Sequence, residues 1–330
     1  MKRLSVYIIL IIAAILIAGC DILGSSGDPA GMQKIGLNGY GISGIYVDGN
    51  QIIVGTSSVG SINYIFRSKD SGASWQQRDS IHVNNKLPYN FNVAVTQLHI
   101  FNNEGTLFAG IGDAYRGKVL MSTDNGKTWT EPDPGFTENV NCFTMINGTL
   151  FAGTDHGVFM TTNNGNSWSA ADTVELSHPV VGLVSLTGDL FAATSGEGIY
   201  RSSDDGASWK EVNSTNYDFT GLATLGTSLF AGASKFYGKD STGGVFISTD
   251  KGKNWSHADT GITDHDVYQL YSNSSDLFAG SNHGIYYSGN KGASWALLDS
   301  AGAVSFASNG SWLFIGDIGI SKFPLSQLGK

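Results

Sequence analysis

Between Val140 and Ala171, apolar and polar residues alternate in short runs broken by turn residues, a period of two that belongs to strands. Val140–Ile146 reads as a strand, Asn147-Gly148 as a tight hairpin turn, and Thr149–Thr154 as the returning strand. Asp155-His156-Gly157 turns the chain again, Val158–Thr162 is a third strand, Asn163–Gly165 a further turn, and Ser167–Ala171 a fourth strand. Four antiparallel strands joined in this way make one propeller blade. Ala152 and Gly153 in the second strand leave space for a neighbouring sheet to approach.

The pattern repeats along the chain. Eight-residue segments align without gaps at Ser68–Trp75, Ser122–Trp129, Thr161–Trp168, Ser202–Trp209, Ser248–Trp255 and Ser288–Trp295, with the Trp residues 39 to 54 apart. The third position is Asp70, Asp124, Asn163, Asp204, Asp250 or Asn290. The fifth is always glycine (Gly72, Gly126, Gly165, Gly206, Gly252, Gly292), and the eighth is Trp75, Trp129, Trp168, Trp209, Trp255 or Trp295. Upstream stand strands of the type Leu107-Phe108-Ala109-Gly110, recurring at Leu150, Leu190, Leu229 and Leu277 and varied at Ile53 and Leu313. The repeat falls between the third and fourth strands. A side-chain oxygen there accepts from turn N–H groups, glycine suits a left-handed position, and the Trp buries against the sheet. Because Asn163 and Asn290 replace the acid, the repeat is structural; an amide could not do acid chemistry.

These segments resemble the Asp-box, or bacterial-neuraminidase-repeat, propellers over about residues 34–325. The resemblance implies an all-β fold. It does not imply an activity, since sialidases, xyloglucanases, sortilin-type receptors and photosystem II assembly factors share the motif. The last unit, Ala303–Leu325, lacks a fourth strand, whereas Met32–Leu37 precedes the first inner strand, Ile42–Val47. The expectation is a seven-bladed propeller of four-stranded blades, closed by the N-terminal strand so that no edge stays open. Six blades and a tail is the alternative.

The N-terminus changes the picture of where the protein works. Met1, Lys2 and Arg3 precede an apolar run from Val6 to Ala18, shorter than a spanning helix and typical of a secretory leader. The run ends Leu16-Ile17-Ala18-Gly19-Cys20, which resembles a bacterial lipobox with Cys20 as the acylated residue. The expected organisation is a leader over 1–19, a lipidated flexible tether over 20–31 and the propeller over 32–330. The expected location is the bacterial cell envelope, anchored by lipid and facing periplasm or cell surface. Asp21 carries a weak sorting signal. Cys142 is the one other cysteine, so no disulfide follows.

Composition narrows the partners. The 330 residues include 44 Gly with 41% hydrophobic residues, which fits a turn-rich globular fold. The formal net charge is −9, with no basic cluster, which argues against nucleic acid. A monomer without cofactor or resident metal is expected.

Candidate chemistry is thin. Sialidases of the resembling family use three Arg on the substrate carboxylate. Beyond the leader this chain has Arg67, Arg78, Arg116 and Arg201, and Arg67 and Arg201 stand at matching strand positions before repeats. A glycoside hydrolase needs two carboxylates, and Asp113, Asp133, Asp155, Glu197, Asp240, Asp264, Asp266 and Asp317 fall in loops of one face. His156 and His283 occupy equivalent turns. Asp264-His265-Asp266 is the most suggestive triplet, yet one loop without a second His or Cys is a weak metal signal. Loops longer than the repeat requires, Gln76–Asn92 and Ser234–Gly243, carry Tyr89, Phe91, Phe236 and Tyr237. Tyr115, Arg116, Phe136 and Tyr217 join them, with Asp264, His265 and Asp266, as a candidate binding face. The expected function is non-catalytic binding or scaffolding of a protein or glycan. The rival is a sialidase-like or xyloglucanase-like hydrolase using the loop carboxylates.

Overall fold

The computed structural model describes residues 31–57, 62–82, 97–112, 117–132, 135–171, 176, 178–213, 217–234 and 243–329. Its strands follow the chain as antiparallel meanders. β1 (Gln33–Asp48), β2 (Gln51–Ser57), β3 (Ile62–Ser68) and β4 (Gln76–His82) come first. The second group is β5 (Gln97–Asn103), β6 (Thr106–Gly112) and β7 (Lys118–Ser122). The third is β8 (Val140–Ile146), β9 (Thr149–Thr154), β10 (Gly157–Thr161) and β11 (Ser169–Ala171). The fourth is β12 (Val180–Leu186), β13 (Asp189–Thr194), β14 (Gly198–Ser202) and β15 (Lys210–Asn213). The fifth is β16 (Asp218–Leu225), β17 (Ser228–Ser234), β18 (Gly244–Ser248) and β19 (Ser256–His257). The sixth is β20 (Val267–Ser272), β21 (Leu277–Ser281), β22 (Gly284–Ser288) and β23 (Ala296–Asp299), before β24 (Ser305–Ser308) and β25 (Trp312–Pro324) end the chain. Among the described residues there is no α-helix, only a 3-10 turn at Leu325–Gln327.

The fold is an all-β propeller, but not of seven four-stranded blades. Four sheets have four strands, β5–β6–β7 has three, and β24–β25–β1–β2–β3–β4 form one six-stranded sheet. Five sheets therefore stand alone, and a composite sheet joins the two ends of the chain. Two physical causes account for the difference. β1 is continuous from Gln33 to Asp48 and pairs with β2 and β25, through Gln33↔Lys322 and Gly41↔Ile318 on the β25 side, so first and last segments share a ladder. In the second sheet the fourth strand shrinks to the bridge Met121↔Thr130, because Pro132 follows at once and has no N–H for the ladder. Gln76–His82, read from sequence as part of a loop, is strand β4.

Inner strands of successive sheets meet around an axis, β8 against β12, β12 against β16 and β16 against β20, while β24 closes on β1. The core lies between sheets. Phe108, Phe151, Phe191, Phe230, Phe278 and Phe314, one each on β6, β9, β13, β17, β21 and β25, are 0% exposed. Burial of each contributes ~1.5–3 kcal/mol.

The eight-residue repeats are the β-turns that lock these layers. Ser202 Oγ donates to Asp204 Oδ1 at 2.8 Å and accepts the Gly206 N–H at 2.9 Å, and Asp204 accepts from the Ser208 N–H and hydroxyl. In the third repeat Asn163 Nδ2 donates to Ser167 Oγ at 2.8 Å, reversing that last bond while Oδ1 still accepts the Ser167 N–H. A hydroxyl serves either role, which is why amide and acid both fit. The residue before each glycine is left-handed, with φ from 55° to 62° at Ser71, Asn125, Asn164, Asp205, Lys251 and Lys291. Four of these reach the first hairpin of the preceding sheet: Asn125 to Gln51, Asn164 to Thr106, Asp205 to Asn147 and Lys251 to Asp189. First hairpins and repeats thus share one face, and the remaining loops occupy the opposite face.

Candidate functional site

An axial cavity of about 190 Å³ lies between the inner strands, lined by Phe101, Phe143, Leu183 and Leu222 with Thr220 and Gln269. Four of these inner strands, β8, β12, β16 and β20, begin with a β-bulge, between Val140/Cys142, Val180/Gly182, Phe219/Gly221 and Val267/Gln269, whereas β5, which supplies Phe101, pairs without one. Cys142 also lines the cavity, buried, and burial pushes its thiol up to about 12 although the Gly153 N–H works the other way.

On the loop face, polar side chains bond within and between sheets. Asp218 accepts from Ser195 Oγ at 2.9 Å, and Asp266 accepts from Ser234 Oγ at 2.9 Å. These two acids stand at the same register, one residue before Phe219 and Val267, where those bulges begin. Asp155 receives Asn139 Nδ2 at 2.8 Å and Asn141 Nδ2 at 3.0 Å. His178 Nδ1 lies 2.6 Å from Glu197 Oε2, and His283 Nδ1 lies 3.1 Å from Asp264 Oδ2. Burial pushes the Asp218 carboxyl above the usual carboxylate range, only partly offset by Ser195. Burial does the same to Asp317, with the Ile318 N–H as the counterweight. Burial also acts to raise Asp264, but the Asp266 N–H, His283 and Ser281 together hold it below that range.

The triplet Asp264-His265-Asp266 does not converge. Asp264 turns to His283, His265 Nδ1 lies 3.3 Å from Asp259 Oδ2, and Asp266 turns to Ser234. His257 Nδ1 approaches the same Asp259 oxygen at 3.5 Å. Among the described residues no group of three or more His, Cys, Asp or Glu could hold a metal ion.

The other candidates scatter. Phe136 is 8% exposed and stacks on Phe159 at 4.3 Å, inside the core. Tyr217 is half-buried, 4.5 Å from Phe246. Cys20, Tyr89, Phe91, Tyr115, Arg116, Phe236 and Tyr237 lie outside the described residues, as do Asp113, Asp133, Asp240 and residues 1–19. Arg67 and Arg201 sit on the repeat side, bonded to Gln51 and Asp189, on the face opposite the loop carboxylates. Asp218 and Ser195 escaped sequence reading. Their signal is register against the neighbouring sheet, and the composition of the chain carries no trace of it.

A family model for the DUF6242 beta propeller domain matches residues 90–222, less than half of the chain. Over 154 residues the chain is 29% identical to a probable oligoxyloglucan-reducing end-specific xyloglucanase of Neosartorya fischeri, a match spanning 42% of this chain and 19% of that protein. Among solved structures, YCF48 from Cyanidioschyzon merolae has a TM-score of 0.65 at 14% identity, covering 90% of this chain and 100% of that one. The extracellular domain of the putative one component system BT4673 of B. thetaiotaomicron has a TM-score of 0.66 at 15% identity, covering 89% and 40%. A GH74 enzyme of Niastella koreensis has a TM-score of 0.64 at 18% identity, covering 88% and 53%. The chain is a β-propeller similar in fold to YCF48 and to GH74 propellers.

Proposed function

We propose that the chain is an Asp-box propeller, anchored to the bacterial cell envelope by acylation of Cys20, whose loop face binds a protein or glycan without transforming it. The observation that carries the reading is how the loop-face carboxylates are used. Asp155, Glu197, Asp218, Asp264 and Asp266 are each bonded to an amide, hydroxyl or imidazole, Asp218 and Asp266 across sheets. Such groups stiffen a rim and offer remaining lone pairs to a ligand, the arrangement of a recognition surface. The similar fold of YCF48, which has been solved bound to a D1 peptide, supports a binding role.

The second reading is a glycoside hydrolase. It is favoured by the match to the xyloglucanase and by Asp218 and Asp317, whose raised carboxyls suit a general acid. The test is binding of the protein truncated before Cys20 to glycan and envelope-protein arrays. Binding weakened by His178→Ala or His283→Ala, and unaffected by Lys127→Ala on the repeat face, supports the reading. Binding lost only through repeat-face changes overturns it.

A further inference from the structure

We infer that the membrane lies under the repeat face, so that the loop face points away from the lipid; this rests on the Cys20 anchor proposed above. Where the chain enters the fold is the first observation. Gly31 packs beside Gln327 and Phe323. The turn holding Gln327 is fixed by the Leu325 N–H donating to Ser311 O in the β24–β25 hairpin at 2.9 Å, and Lys322 Nζ reaches Ser71 O of the first repeat at 3.5 Å. The N-terminal stretch therefore joins the propeller on the side of the hairpins and repeats.

Reach is the second. From Cys20 to Gly31 the chain extends ~40 Å at most. A seven-residue strand rises ~23 Å, so turning the loop face to the membrane would spend most of that length climbing the ring. Charge is the third. On the loop face Asp155, Glu197, Asp218, Asp259, Asp264, Asp266 and Asp317 meet a single described lysine, Lys118, already paired with Glu131 at 2.7 Å. The repeat face carries the exposed Lys69, Lys127, Lys253 and Lys291 among its acids. Anionic headgroups repel the first face over ~8–10 Å and meet a mixed surface on the second.

The test uses the full, lipidated chain in vesicles containing headgroup-quencher lipids, with one fluorophore on an introduced cysteine. Lys127→Cys reports the repeat face and His156→Cys the loop face; both positions are exposed, while buried Cys142 stays unlabelled. Several-fold stronger quenching at 127 than at 156 is expected. Equal or reversed quenching on bound protein overturns the orientation alone. A Cys20→Ser chain that still binds the vesicles overturns the anchor, and the orientation with it.

Discussion

Gly206 lies against the ring of Phe151 in the preceding sheet, so closely that a Cβ at Gly206 would stand 2.7 Å from Phe151 Cε1. The same contact recurs between Gly165 and Phe108 and between Gly292 and Phe230, at 2.6 and 2.8 Å. These three repeats thus close their own turns and also seat an aromatic ring of the preceding sheet, while Gly72, Gly126 and Gly252 lie first against Ile35, Ile53 and Val212.

Gly206→Ala should destabilise the propeller twice over, through a methyl forced onto the ring and through a φ of +84°. The expected cost is ~1–3 kcal/mol, against ~3–5 kcal/mol for Phe151→Ala. In denaturant titrations the double variant should cost less than the sum of the two, since removing the ring makes room for the methyl. Strict additivity would mean that the contact carries no energy.

Acid should loosen the repeats in a defined window. The Ser74 hydroxyl and N–H, with Ser68, hold the Asp70 carboxyl down at about 2, and the Asn254 N–H and side chain hold Asp250 at about 2. A carboxyl lowered in the fold stabilises above its unfolded value of about 3.8 and loses that effect as pH falls through the folded value. Melting temperature should therefore drop between about pH 4 and pH 2. Asp70→Asn with Asp250→Asn should flatten that drop, and an unchanged slope would count against the turn bonding described.

Asp218 has the opposite sign. Its carboxyl is raised by burial, so its charged form is disfavoured and its contribution is lost as pH rises through the folded value. Asp218→Asn retains an acceptor for Ser195 and should raise the melting temperature at pH 7 but not at pH 3. A loss of stability at pH 7 would contradict the burial argument.

Cys142 should ignore thiol reagents in the native state, because burial pushes its thiol up to about 12. Pulse labelling with an alkylating agent should modify it only as denaturant unfolds the propeller, with the same midpoint as the fluorescence transition. Fast labelling without denaturant would show that the axial cavity admits the reagent.

The alternation at Val140–Ile146, the Asn147-Gly148 turn and the spacing of the Trp residues were enough to read an all-β propeller, because strand period and turn chemistry are local. Sheet count was not local. It depends on β1 running unbroken into the ladder of β25, and on Pro132 ending a strand before it starts. The site was less legible still. Asp218, Asp266 and Asn139 hold equivalent places at the rim, but which neighbour each meets is decided by bulge and register between sheets. Phe136 reads as a loop aromatic in one dimension and proves to be core in three.

The most direct test of a loop face that binds without catalysing is turnover. The protein truncated before Cys20 should be offered a broad chromogenic glycoside panel beside its Asp218→Asn and Asp317→Asn variants. No release above the blank, alike in all three proteins, is the predicted result. Steady release from one glycoside, abolished by either substitution, would make the propeller a hydrolase and contradict the account.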